Sequence, residues 1–139
     1  MIPMVGLSKK ILVVEDNKLL QQIYLDRLVK EGFTVLQAFS GTQASSMATN
    51  FHPDLILLDI MLPGGLNGFD VLQELRRDLA FKHTPIIMIT DLKNEEQTAK
   101  SLGATDYLIK SDNMMDQVVE KVKNHLKLDI VGAIKKILQ

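Results

Sequence analysis

The stretch DLILLDIMLP, residues 54–63, decides the fold. Leu55, Ile56, Leu57 and Leu58 follow one another without a polar residue between them. A strand with one wet face would alternate, so an unbroken apolar run predicts a strand covered on both faces, as in a parallel sheet. The run then delivers a carboxylate, Asp59, ahead of Ile60, Met61, Leu62 and Pro63. A charge at the end of a buried strand needs a reason, and parallel topology offers one. In an open α/β sheet the residues just past the carboxyl ends of the strands collect along one edge, where ligands bind.

The rest of the chain repeats the pattern. Short apolar runs at 10–14, 34–38, 54–58, 85–90 and 105–109 predict five strands. Helical stretches are expected after each, at about 18–30, 41–49, 68–78, 94–102 and 113–126. The first places Leu20, Tyr24 and Leu28 on one face and stops at Gly32; the last repeats Met115, Val118, Val122 and Leu126. Strict alternation of strand and helix implies an α/β fold: a doubly wound parallel sheet between two helical layers, with right-handed crossovers.

Bulk properties narrow the function. A chain of 139 residues fits one domain with one core. With 16 basic and 17 acidic residues and a net charge of -1, nothing draws it broadly to nucleic acid or to an anionic membrane surface. The absence of cysteine excludes a disulfide framework, a thiolate metal site and a cysteine nucleophile. No segment approaches the length of a membrane span, and the first residues lack the order of a secretory signal, so a cytoplasmic protein is the expectation.

Function is then sought at the strand ends. These carry Glu15 and Asp16, Asp59, Thr90 and Lys110. Three converging carboxylates repel one another, and the proton affinity of at least one rises unless a cation sits between them. An all-oxygen set with room for water and a phosphoryl oxygen suits Mg²⁺. The lysine offers a compact positive charge and the threonine a hydroxyl donor, which together make an anion pocket beside a cation.

With "VVEDN", "LLDIMLP", "NGFD", "PIIMIT" and "GATDYLIK" in this order over about residues 9–127, the chain resembles the receiver domains of response regulators in two-component signalling, the chemotaxis regulator among them. The resemblance implies a flavodoxin-like sheet of order 2-1-3-4-5. It implies that Asp59 is the phosphoacceptor and that Glu15, Asp16, Asp59 and the carbonyl oxygen of Met61 hold Mg²⁺. Thr90 would be the hydroxyl that follows the phosphoryl group, Tyr107 the aromatic switch and Lys110 the ammonium that pairs with phosphoryl oxygens. Expected partners are a sensor histidine kinase or histidine phosphotransfer protein upstream and a protein target downstream. The protein would then be no metabolic enzyme, but would catalyse its own Mg²⁺-dependent phosphorylation.

Blander readings compete residue by residue. Glu15 and Asp16 suit the N-terminus of the first helix, Thr90 and Tyr107 are ordinary strand residues, and Lys110 alone reads as a solvated strand end. His52, His83 and His125 fit no ligand spacing. The chain also departs from the family's usual pattern. The 59–68 loop is one residue longer, Asp91 follows Thr90 where a small residue is common, and Ser111 follows Lys110 where proline is common. Met61 and Leu92 put apolar side chains where the family's hydrolytic water passes, which implies slow loss of the phosphoryl group. A rival reading is a pseudo-receiver, a phosphorylation-independent binding module that keeps the fold.

The ends divide into an extension, 1–8, and an amphipathic tail, 128–139. The tail sets Ile130, Val131, Ile134, Ile137 and Leu138 against Lys135 and Lys136. Its expected roles are a homodimer contact, a partner contact, or cover for the domain's own surface. With so short a tail and no DNA-binding domain in view, a stand-alone regulator is the expectation. An enzyme of the aspartate phosphatase type would place a second aspartate at position 61, and a nucleotide-binding enzyme would need a glycine-rich loop after the first strand.

Overall fold

Both expectations for the central strands, two covered faces and parallel neighbours, hold in the computed structural model, which describes residues 8–127 and 137–138. Five parallel strands, β1 (Lys10–Val14), β2 (Thr34–Ala38), β3 (Leu55–Leu58), β4 (Ile86–Thr90) and β5 (Asp106–Ile109), form one sheet of order β2-β1-β3-β4-β5. Successive side chains of a strand point to opposite faces, so an apolar run feeds two cores. Ile11, Val13, Leu55, Leu57, Ile87 and Ile89 enter one core with Tyr24, Leu28, Val118 and Val122. Their alternates Leu12, Val14, Ile56, Leu58, Ile86 and Met88 enter the other with Ala44, Ala48, Val71, Leu72 and Ala99. The helices α1 (Lys18–Lys30) and α5 (Met114–His125) therefore cover one face. The other is covered by α2 (Gly41–Phe51), α3 (Gly68–Arg77) and α4 (Glu96–Ser101).

Register carries this pattern into the site. Val14 pairs with Leu58 across β1 and β3, so the next residues, Glu15 and Asp59, emerge side by side. The Asp59 amide completes the alignment by donating to the Val14 carbonyl at 3.1 Å. Across β4 and β5, Thr90 pairs with Ile109, and the Lys110 amide donates to the Thr90 carbonyl at 2.9 Å. Two registers thus bring every strand-end group named above to the same edge.

Several boundaries differ from the sequence reading. Asp54 lies outside β3 because its carboxylate accepts from the Lys10 amide at 2.7 Å. Pro85, which has no N–H to give a ladder, precedes β4, and Thr105 precedes β5 with its hydroxyl accepting from the Ile86 amide at 3.0 Å. Helix α2 runs on to Phe51 and is stopped by His52 in a left-handed conformation, φ 47°. Helix α3 ends at Arg77 because Asp78 turns out of helical geometry and caps an unexpected 3-10 turn, Leu79–Phe81. Helix α4 has only 6 residues, and its polar sequence buries only Ala99. On α1 the buried arc is Gln21, Tyr24 and Leu28, with Leu20 only partly covered; on α5 Met114, not Met115, is buried. The tail positions Ile130, Val131 and Ile134 lie outside the described residues, while Ile137 and Leu138 are helical and exposed.

Candidate functional site

The β1–α1 turn supplies two of the acidic groups, and neither of them is spent on capping the helix that follows. Asn17, not Glu15 or Asp16, is the N-cap of α1, its side chain accepting from the Leu20 amide at 3.0 Å. Asp16 stays exposed at the rim. Glu15 turns inward, only 2% exposed, and one carboxylate oxygen accepts from the Asn17 amide at 3.0 Å.

Asp59 is likewise buried, at 5% exposed. Oxygens of Glu15, Asp16 and Asp59 lie within 4.8 Å of one another, and the three groups could hold a metal ion. An all-oxygen donor set of this density suits a hard divalent cation. Between two of them sits Lys110, whose Nζ is 2.6 Å from Glu15 Oε1 and 2.7 Å from Asp59 Oδ2. Burial pushes the Glu15 carboxyl above its usual range, and the Lys110 and Asn17 hydrogen bonds offset that only in part. For Lys110 burial works against the charge, but hydrogen bonds to Asp59 and Glu15 outweigh it and raise the ammonium's proton affinity. Formally, three carboxylates face one ammonium in this cluster.

The 59–68 loop does not pull Asp59 away. The Met61 amide donates to Asp59 Oδ1 at 3.3 Å while the Met61 side chain stands 62% exposed. Gly64 and Gly65 take φ of 85° and 92°, a region open to glycine, and turn the loop between Asp59 and α3. At the far end Gly68 starts α3 so close to Asp59 that an added Cβ would lie 2.0 Å from the Asp59 carbonyl oxygen. Asn67 fixes that start through a reciprocal cap with Asp70.

Thr90 and Tyr107 meet at one residue, Leu92. Thr90 is fully buried, and its hydroxyl accepts from the Leu92 amide at 3.3 Å. Tyr107 is 7% exposed, and its hydroxyl donates to the Leu92 carbonyl at 2.5 Å. Burial raises the proton affinity of its phenolate. Asp91 is exposed and lines, with Leu20, Lys110, Ser111, Asp112 and Met114, a cavity of about 290 Å³ beside the ammonium. No peptide bond among the described residues is cis, and Lys110 reaches both carboxylates with Ser111 behind it.

Known proteins resemble this chain in sequence and fold. Residues 11–136 match the response regulator receiver domain. The chain belongs to that family. The polar-differentiation response regulator DivK of Brucella ovis is 31% identical over 122 residues, which make up 86% of this chain and 98% of DivK. Among solved structures, the response regulator TrrA of Thermotoga maritima, in complex with Mg(2+)-BeF, is 33% identical with a TM-score of 0.77, covering 85% of this chain and 99% of TrrA. The chemotaxis response regulator CheY4 of Vibrio cholerae is 28% identical with a TM-score of 0.79, covering 86% of this chain and 99% of its own. The chain is thus a receiver domain of two-component signalling, a class that receives phosphoryl groups from kinases or phosphotransfer proteins. Among the described residues no helix is long and apolar enough to cross a membrane.

Sequence reasoning missed two residues that hold the receiver's acidic turn. Asn17 carried a signal, an amide residue at the position before a helix. Gln21 carried a fainter one, a polar residue at the spacing of Tyr24 and Leu28 on the buried arc.

Proposed function

We propose that this receiver accepts a phosphoryl group on Asp59 from a phosphohistidine of a sensor kinase or phosphotransfer protein and signals by a change of shape in the β4–α4 region. The observation that carries the reading is the contact of Lys110 Nζ with Asp59 Oδ2 at 2.7 Å, inside a cluster of three carboxylates. An Asp59 oxygen attacks phosphorus, the bond from phosphorus to the donor's imidazole nitrogen breaks, and the imidazole leaves. Lys110 gives up part of its bond to the carboxylates and pairs with the phosphoryl oxygens. Glu15, Asp16 and Asp59 would hold Mg²⁺, a role supported by their proximity and by the Mg(2+)-BeF complex of TrrA, and the Met61 carbonyl would join them as the family resemblance implies. Bound there, the ion supplies positive charge against the oxygens of the transferring group.

The phosphoryl group adds roughly one to two negative charges and three acceptor oxygens. Thr90, released from the Leu92 amide, donates its hydroxyl to one of them. Leu92 then shifts, and Tyr107, bonded to the Leu92 carbonyl, responds to the same movement. The group biases this equilibrium only by its different contacts in the two states. The resulting surface engages a protein target, in a cytoplasmic setting. Met61 and Leu92 keep attacking water scarce, so the acyl phosphate hydrolyses slowly; replacing both by polar residues shortens its half-life, and an unchanged half-life refutes the assignment.

The pseudo-receiver reading loses ground because neither the long loop nor Ser111 separates Lys110 from Asp59. The deciding experiment incubates the chain and its Asp59→Asn variant with Mg²⁺ and acetyl phosphate and weighs both intact. The native chain gains one phosphoryl group and the variant gains none. Equal behaviour of the two overturns the proposal.

A further inference from the structure

We infer that Gln21 is a positioning residue for the acidic turn, holding Glu15 in place from behind so that it faces Asp16 and Asp59. The inference rests on the reading of that turn as a Mg²⁺ site. Gln21 lies on the first half of α1 and is 1% exposed, one of four buried polar or charged side chains among the described residues. The other three, Glu15, Asp59 and Thr90, already belong to the site. Its Nε2 donates to three carbonyl oxygens: Val13 at 3.0 Å, Glu15 at 3.0 Å and Ala38 at 2.8 Å. An amide has two hydrogens, so one is shared, and the carboxamide plane is fixed by its acceptors. Its Oε1 is approached by Gln37 Nε2 at 3.3 Å, which also reaches the Gln21 carbonyl at 3.3 Å.

These bonds meet where the chain must make a sharp change. Val13 is still in β1, Glu15 has left it, and Ala38 is the last residue of β2. Beyond Val14 the β1–β2 ladder gives only the bond from the Glu15 amide to the Ala38 carbonyl, 3.0 Å. Glu15 is thus gripped at every polar atom: its amide by Ala38, its carbonyl by Gln21, and its carboxylate by Asn17 and Lys110. Of these grips, the ones on the carboxylate are a ligand's own business, since a cation would redistribute them. The grip on the backbone is independent of the cation and sets where the carboxylate starts. A leucine or methionine at position 21 would satisfy the apolar arc of α1 equally well, so the amide answers a need of the turn and not of the core.

The test compares two side chains that clamp backbone carbonyls, Gln21 buried and Arg76 half-buried. Arg76 also spans carbonyls, those of Phe81, Thr84 and Gly103, but on the other face of the sheet, where it ties α3 to the turns before β4 and β5. Gln21→Met and Arg76→Met each remove a clamp of this type. Mg²⁺ affinity of the native chain and both variants is measured by calorimetric titration, with the Glu15, Asp16 and Asn17 amide resonances as a second readout. Melting temperatures record the loss of stability separately. Gln21→Met weakens Mg²⁺ binding by about tenfold, the scale of lost outer-shell support at a metal site, while Arg76→Met lowers the melting temperature and leaves the affinity within about twofold. Gln21→Asn, which keeps the amide but withdraws it by one methylene, falls between the native chain and Gln21→Met, and carries the test if Gln21→Met does not fold. Native-like affinity in Gln21→Met, or in Gln21→Asn where that variant stands in, overturns this inference alone. So does equal weakening by Gln21→Met and Arg76→Met. A native chain that takes up no Mg²⁺ overturns the reading of the site and this inference with it.

Discussion

The two ends of β5 carry ion clusters of opposite composition. Just past its carboxyl end, one cation, Lys110, faces two anions, Glu15 and Asp59, with side chains between 3% and 14% exposed. At its first residue one anion, Asp106, faces one ammonium, Lys121 at 3.0 Å, and an imidazole nitrogen of His125 at 2.9 Å, with side chains between 21% and 30% exposed. The second cluster is at rest: burial alone would push the Asp106 carboxyl up, but His125, the Tyr107 amide and Lys121 hold it below its usual range. In the first, the same contest goes the other way for Glu15, whose proton affinity stays raised despite Lys110. The Asp106 carboxylate has its own ammonium and two further hydrogen-bonding partners within the chain. Three carboxylates around one ammonium leave a cluster formally short of positive charge, which is what the proposed Mg²⁺ site requires.

The sharpest way to break this contrast is chemical. Asp59→Asn abolishes labelling by acetyl phosphate altogether, whereas Asp106→Asn leaves the labelling rate within about twofold of the native chain. Labelling that survives in the first or disappears in the second would erase the distinction between the two ends. Next in size is stability. Lys110→Met leaves two nearly buried carboxylates without their cation, which costs about 3 kcal/mol at neutral pH, while Lys121→Met at the more exposed end costs about 0.5 kcal/mol. Urea unfolding of both variants reads the difference, and equal midpoints would deny that burial separates the clusters.

The same physics explains what could be read in the sequence. The apolar runs of β1, β3 and β4 announced a sheet covered on both faces because burial leaves no room for alternation. The strand-end groups Glu15, Asp59, Thr90 and Lys110 were legible because parallel topology leaves them one place to go. Gln21 was not, since hydrophobic periodicity records which side a residue faces and not which carbonyls lack a donor there. Nor was the Asp106 cluster: Lys121 and His125 are ordinary helix-surface residues until the packing of α5 on β5 sets them beside one carboxylate. The direction of Lys110 was open for the same reason. Local sequence after β5 gives no aim to a four-carbon side chain, and the two carboxylates across the sheet edge do.

Magnesium sharpens the comparison at a smaller scale. At ten times its dissociation constant, Mg²⁺ stabilises the native chain by about 1.4 kcal/mol through mass action. Asp106→Asn keeps this gain unchanged, and Asp59→Asn, which lacks one of the proposed ligands, shows less of it at the same concentration. Melting temperatures with and without the ion decide the matter, and an equal gain in all three proteins would place the ion outside the acidic turn.

The smallest effect belongs to the resting cluster and is read in acid. A carboxyl held below its usual range in the folded chain releases its proton more readily there than in the unfolded chain, so its ionised form favours folding. That contribution is fully present above the ordinary value of 3.8 and is lost as pH falls through the lower folded value. Because the cluster is partly solvated, it amounts to about 0.5 kcal/mol. Asparagine at 106 cannot titrate, so Asp106→Asn is less stable than the native chain at pH 6 by about that amount, and the gap narrows towards pH 2. A gap that stays constant across that range, or widens in acid, would mean that Lys121 and His125 do not hold Asp106 ionised and that the two ends of β5 differ in exposure alone.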